Sequence, residues 1–333
     1  MSGNLKFIRL YTVRVKSILF GLSYVLIAIL VISCGKDEVS FIPHSTSDPS
    51  AVLQSFAKET KNFILDTDTD TIYFKSSEGI ILTIPKNSIV YNDGSPVSGK
   101  IRMQFKSIGS RSELLFENLN TISNNHLLNI YQTVYINFSK DDQKLIINPK
   151  NRNIRMFLPS TEYNESCRVY FNQRNEHKEN EWREPDMDAG ILEYVQFQTD
   201  TNLTLTGYSL PIQNMGWTAI GRPWIDKPLN EFLQVCAETD DLFNGSNTSL
   251  FLISEDSEST VIKCSYSSVE NKFCINSLFI PDNKYFRVIA FSVIDGNKYY
   301  FGTDIIETGK SSQNYLNLKV TDLSEVITFL RRI

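Results

Sequence analysis

The chain has 333 residues, with 33 Lys and Arg against 38 Asp and Glu, a net charge of −5 with histidine neutral. That sign leaves no electrostatic footprint for nucleic acid. A hydrophobic fraction of 41%, with 12% aromatic residues, suffices to fill packed cores and excludes a chain that is disordered throughout.

At the N-terminus, Lys6, Arg9, Arg14 and Lys16 precede a charge-free apolar run over residues 18–32 (ILFGLSYVLIAILVI). Cations followed by an apolar stretch is the order of a secretory leader. The run is shorter than the roughly 20 residues a helix needs to span a bilayer. It ends in Val31-Ile32-Ser33-Cys34-Gly35, which resembles a lipobox. The resemblance implies a signal peptide over residues 1–33, cleavage before Cys34, and acylation of the Cys34 sulfur and then of its amine, so that the first partner is a lipid bilayer. Two or three acyl chains hold stably where one holds only marginally. The leader contains four cations and no acid, so the chain from Cys34 onward has 29 basic and 38 acidic residues, a net of −9. Next come Lys36, Asp37 and Glu38, which resemble the export tag of Bacteroidetes lipoproteins and imply the outer face of the outer membrane. Residues 34–50 are polar and aperiodic, the composition of a flexible tether.

Beyond the tether the dominant hydrophobic period is two. Strands are predicted over residues 71–74, 79–84, 100–105, 130–138, 154–158, 168–171, 192–198, 232–235, 250–253, 287–293 and 298–302. A hairpin is predicted from residues 261–266 and 272–275. Two helices interrupt the pattern. One follows Asp48-Pro49, with Asp as N-cap and Pro in the first turn; the other covers residues 322–331, with Asp322 and Glu325 in capping-box positions. The expected fold class is all-β: tandem antiparallel β-sandwich domains with a short C-terminal helix, preceded by a lipoprotein signal peptide. The polar run 172–190 and the Pro-bearing stretch 221–228 are both possible breaks. The main one is placed near Pro228, giving domains over 51–227 and 228–333.

Three stretches of the first domain carry a family resemblance: Asp70-Thr71-Ile72, then Glu78-Gly79-Ile80-Ile81-Leu82-Thr83-Ile84-Pro85-Lys86-Asn87, then Asn92-Asp93-Gly94 through Val97-Ser98-Gly99-Lys100-Ile101. They resemble a domain of Bacteroidetes surface lipoproteins and, more loosely, the β-sandwich shared by zona occludens scaffolds, ankyrins and netrin receptors. Gly216-Trp217 matches a following segment of that pattern, but Thr218-Ala219-Ile220-Gly221 replaces the family's Ile-Asn-Cys-Asp. Residues after Pro228 resemble carboxypeptidase regulatory-like β-domains. The resemblance implies binding or spacing without turnover.

The chemistry-bearing residues are few. Asp66, Asp68 and Asp70 alternate in DTDTDT and form either a calcium-binding set or a solvated acidic turn. Apart from Cys34 there are Cys167, Cys236, Cys264 and Cys274. Cys264 and Cys274 could bridge the predicted hairpin, or all four could be buried apolar groups. With no CxxC spacing, zinc is not expected, and neither is any cofactor. Trp182, Trp217 and Trp224 offer a glycan-stacking platform, with packing of Trp217 and Trp224 at the interdomain seam as the alternative. No nucleophile elbow is present, so the expected role is a surface-tethered, non-enzymatic module for a partner protein or glycan. The competing class is a surface glycosidase or peptidase, whose carboxylates leave no mark in sequence.

Overall fold

Alternation becomes structure most plainly in Lys100–Ile108 (KIRMQFKSI), where Ile101, Met103 and Phe105 are buried and the residues between them face outward. Each such buried side chain contributes about 1.5–3 kcal/mol of transfer free energy. The computed structural model describes residues 48–151, 153–174, 180–185, 192–198, 204–224, 233–256, 259–278, 280, 283–308 and 314–333. The leader, Cys34, the Lys36-Asp37-Glu38 tag and Pro228 lie outside these. The protein is mostly β, with antiparallel sheets and a short C-terminal helix. No helix among the described residues is long and apolar enough to cross a membrane.

Sheet A runs in the order Lys61–Asp66, Lys100–Ile108, His126–Lys140, Gly216–Pro223, Arg168–Arg174, Asn180–Arg183. Sheet B has the order Glu193–Gln198, Thr204–Pro211, Arg155–Pro159, Ile81–Pro85, Thr71–Lys75. The two sheets enclose a first core, to which Met103, Val134 and Phe138 of sheet A and Leu82, Met156 and Leu210 of sheet B contribute.

Sheet C is built from later strands, in the order Asn314–Tyr315, Leu233–Glu238, Lys272–Leu278, Val261–Ser267, Thr248–Ser254, Tyr285–Ile294, Lys298–Glu307, Lys319–Val320. Among the described residues no sheet mixes strands from before residue 224 with strands from after residue 233. Sheet C buries alternate residues such as Leu250, Ile262, Phe273 and Val288 in a further core, which Leu127 of the strand His126–Lys140 also enters. Its strand Thr248–Ser254 is buried at every position, so its other face must also be covered.

That cover is a shared core at the seam. Phe251, Ile253, Ile289 and Phe291 of sheet C meet Leu128, Ile130, Tyr170 and Trp182 from the outer face of sheet A. Three helices seal the rim: α1 (Pro49–Gln54) through Val52 and Leu53, α2 (Arg111–Phe116) through Leu114 and Leu115, and α3 (Leu323–Leu330) through Val326, Ile327 and Leu330. Polar ties add direction. Thr121 and Val261 exchange backbone and hydroxyl hydrogen bonds of 2.8–2.9 Å, and the Thr260 hydroxyl donates to the Leu128 carbonyl at 2.9 Å. Residues 45–333 thereby form one compact unit.

Several details correct the sequence reading. The tether ends before residue 50, because Pro49 and Ser50 are already helical and Asp48 caps the Ser50 N–H at 2.9 Å. Asp322 is the N-cap of α3 but makes no side-chain cap bond. Its carbonyl instead accepts from the Glu325 and Val326 N–H groups at 3.0 and 3.2 Å. The polar run 172–190 is no boundary at 180–183, which pair with Arg168–Arg174 inside sheet A. Helix α2 escaped the periodicity search, although Ser110 and Glu113 form the full capping box that marks its start.

The predicted hairpin forms, as Val261–Ser267 against Lys272–Leu278, but its cysteine pairing differs from the expected one. The disulfide is Cys236–Cys274, and Cys264 is a free, buried thiol. Register is the cause. Cys274 lies opposite Ser265 on one neighbouring strand and opposite Cys236 on the other. Cys264 is one residue out of step, so the pleat turns its thiol into the apolar core of sheet C.

Candidate functional site

Of the alternatives open for the three tryptophans, the structure favours packing over a shared platform. Trp182 is 0% exposed, packed in the seam with its indole N–H donating to the Asn120 carbonyl, so it offers no face to a glycan. Trp217 is half-buried against Tyr135, with the Lys106 ammonium 5.9 Å from its ring. Trp224 is half-buried edge-on to Phe286, with Lys284 at 5.9 Å. Each of these two indoles is thus already packed against a ring and a cation.

The aspartates do not converge on a metal either. The Asp66 carboxylate accepts from the Asp68 N–H at 3.0 Å, and that of Asp68 accepts from the Gly99 N–H at 2.9 Å. Asp70 lies 3.9 Å from the Lys86 ammonium with its side chain fully exposed. These are turn-closing contacts. Among the described residues the one trio of acidic or sulfur groups within 4.8 Å is Cys236, Glu270 and Cys274, whose two sulfurs are joined to each other.

A different aromatic cluster occupies one end of the first core. Tyr194 and Tyr208 are register partners on adjacent strands of sheet B, their rings 5.2 Å apart and edge to face. Tyr163 continues the row, 5.3 Å from Tyr194. Exposure rises along it, from 6% at Tyr208 through a half-buried Tyr194 to 65% at Tyr163. Gly207, next to Tyr208, permits the close approach of the neighbouring strand, since a Cβ there would meet the Leu158 carbonyl oxygen at 2.1 Å.

Hydroxyl groups fix the loop that carries Tyr163. The Ser160 carbonyl accepts from the Tyr194 hydroxyl at 3.1 Å and from the Thr206 hydroxyl at 3.0 Å. The Tyr208 hydroxyl donates to the Glu162 carbonyl at 3.3 Å and accepts the Asn164 N–H at 2.7 Å. Tyr163 is therefore an exposed ring on a bonded loop, a side chain held out toward solvent by its support.

Two adjoining cavities open beside the row and share Tyr163, Asn164, Cys167 and Tyr208 as walls. One, of about 310 Å³, is lined further by Glu165, Arg168, Glu184 and Tyr194. The other, of about 250 Å³, is lined by Tyr131, Gln132 and Glu162. Among the described residues that line the cavities there are thus three glutamates and one arginine, and Arg222 also acts electrostatically on Cys167. Burial pushes the Cys167 thiol and the Tyr208 phenol above their ordinary values, and the contact between the two groups raises the phenol further.

Sequence reasoning missed these tyrosines because they come from four separate segments with no common local spacing. The alternation of Thr204–Pro211, with Tyr208 and Leu210 buried, was the available clue to one of them. Comparison of the chain with protein-family models, curated proteins and solved structures finds no match.

Proposed function

We propose that this chain is a surface-tethered, non-enzymatic lipoprotein whose tandem antiparallel β-sandwich domains serve as a binding module for a partner protein or glycan. In this reading the first domain is of the kind shared by zona occludens scaffolds, ankyrins and netrin receptors, and the second is carboxypeptidase regulatory-like. The observation that carries the anchor is Cys34 itself, placed after a small residue at the end of a charge-free apolar run. Two others support export. The first helix among the described residues begins at Pro49, so a short polar stretch of sequence separates Cys34 from the folded body. A disulfide between Cys236 and Cys274 also suits an oxidising compartment.

Neither the Cys167 thiol nor the Tyr208 phenol of the cleft is activated as a nucleophile, since burial tightens the hold on both protons. The test is replacement of Cys34 by Ala in cells that express the full chain. The expected result is loss of the protein from the membrane fraction, with acylated Cys34 as the N-terminal residue of the wild type by mass spectrometry. An intact leader, or membrane retention without Cys34, would overturn the reading.

A further inference from the structure

We infer that the tyrosine row and its two cavities form a binding site for a neutral pyranose oligosaccharide. The inference rests on the binding-module reading above and names its ligand class.

Four observations converge on that class. The first is ring presentation. Tyr163 and Tyr131 are 65% and 41% exposed, while Tyr208 is buried and fixes the support. A pyranose has one face of axial C–H bonds that lies flat on an aromatic ring, so an exposed ring held in place binds it with little ordering cost. The second is polar provision. The carboxylates of Glu162, Glu165 and Glu184 and the amide of Asn164 ring the cavities. Carboxylates accept hydrogen bonds from vicinal hydroxyls, and the Tyr163 and Tyr131 hydroxyls, which make no hydrogen bond among the described residues, can donate or accept.

Charge is the third observation. Among the described residues three glutamates line the cavities against Arg168, with Arg222 also acting on Cys167, so negative charge is in excess and disfavours a phosphate, sulfate or uronate, which leaves neutral and cationic ligands. Geometry then separates those two. An aromatic cage for an ammonium needs rings that face one another across a gap. Within the Tyr163–Tyr194–Tyr208 row successive rings pack on each other with centroids 5.3 and 5.2 Å apart, which leaves no room for a cation between those three. A ligand must lie along the row, as a chain of linked rings does. The fourth is size. At about 310 and 250 Å³ the cavities are near the lower bound of about 300 Å³ for small-molecule sites. Each suits one sugar unit, and their shared wall suits a linked pair.

The test is affinity electrophoresis of the full chain, purified in detergent, through gels containing neutral xylan, mannan or glucan. Pectate and a phosphocholine-bearing matrix serve as comparisons. At least one neutral polysaccharide is expected to retard the wild type. Tyr163→Ala should weaken that retardation about tenfold, the loss of one stacked ring. Tyr163→Phe should keep most of it. Tyr73→Ala, which removes an exposed ring that lines neither cavity, should leave it unchanged. Retention on pectate or phosphocholine alone would overturn the ligand class, as would no retardation by any neutral polysaccharide. Equal retardation of wild type and Tyr163→Ala would overturn the site. Specific capture of a purified protein partner in the absence of sugar binding would refute this inference while leaving the binding-module reading standing. Failure of both sugar and protein binding would sink both.

Discussion

The seam and the tyrosine cleft are both rich in aromatic side chains, and both draw on sheet A, yet they use their rings in opposite ways. In the seam, Trp182 and Tyr170 are covered by sheet C and three helices, and their rings contribute packing. In the cleft, Tyr194 and Tyr208 turn their hydroxyls onto a loop, and Tyr163 stands clear of the core. An aromatic residue in a polar stretch of sequence can therefore belong to either class. What decides is whether another sheet lies over that face of its strand.

The contrast is broken most directly at Trp182. Trp182→Ala removes a fully buried ring and its hydrogen bond to Asn120, and should destabilise the chain by about 4 kcal/mol. Thermal unfolding measures this, and a change under about 1 kcal/mol would mean that the ring is not packed as described.

The disulfide comes next. Cys236 and Cys274 are 38 residues apart, and their bond ties the strand Leu233–Glu238 to its neighbour. Replacing both by Ser should cost about 3 kcal/mol in denaturant unfolding. Cys264→Ser should not abolish the disulfide seen by non-reducing peptide mapping.

Smaller effects follow from the buried phenols. Burial holds the Tyr170 and Tyr208 hydroxyls protonated above their ordinary value of 10.0. Above about pH 10 the unfolded chain releases these protons first, so stability falls as pH rises, and below that pH the two groups give no pH dependence. The Tyr170 hydroxyl also lacks a hydrogen-bond partner among the described residues. Tyr170→Phe should raise stability by about 1 kcal/mol at neutral pH and reduce the alkaline loss, as read from denaturant midpoints at several pH values.

Much of the β architecture was legible because one-sided burial imprints a period of two. Lys100–Ile108 carries that imprint, while Tyr285–Ile294 is announced instead by the turn that ends it, Asp295-Gly296 in positive φ. The seam was not legible. A strand buried on both faces loses its alternation, as Thr248–Ser254 does, and a charged run conceals Trp182 among polar neighbours. The disulfide depended on register, where a shift of one residue exchanges the faces, so spacing alone favoured Cys264 over Cys236. The cleft required four tyrosines from separate segments to meet, which no local pattern records.

The smallest expected effect on stability belongs to the residue with the largest expected effect on binding. Tyr163→Ala, compared with wild type for both melting temperature and retention on neutral polysaccharide, tests the separation of the two aromatic regions in a single variant. Melting within about 0.5 kcal/mol of wild type together with lost retention is the predicted result. A melting loss as large as that of Trp182→Ala, or retention unchanged, would contradict it.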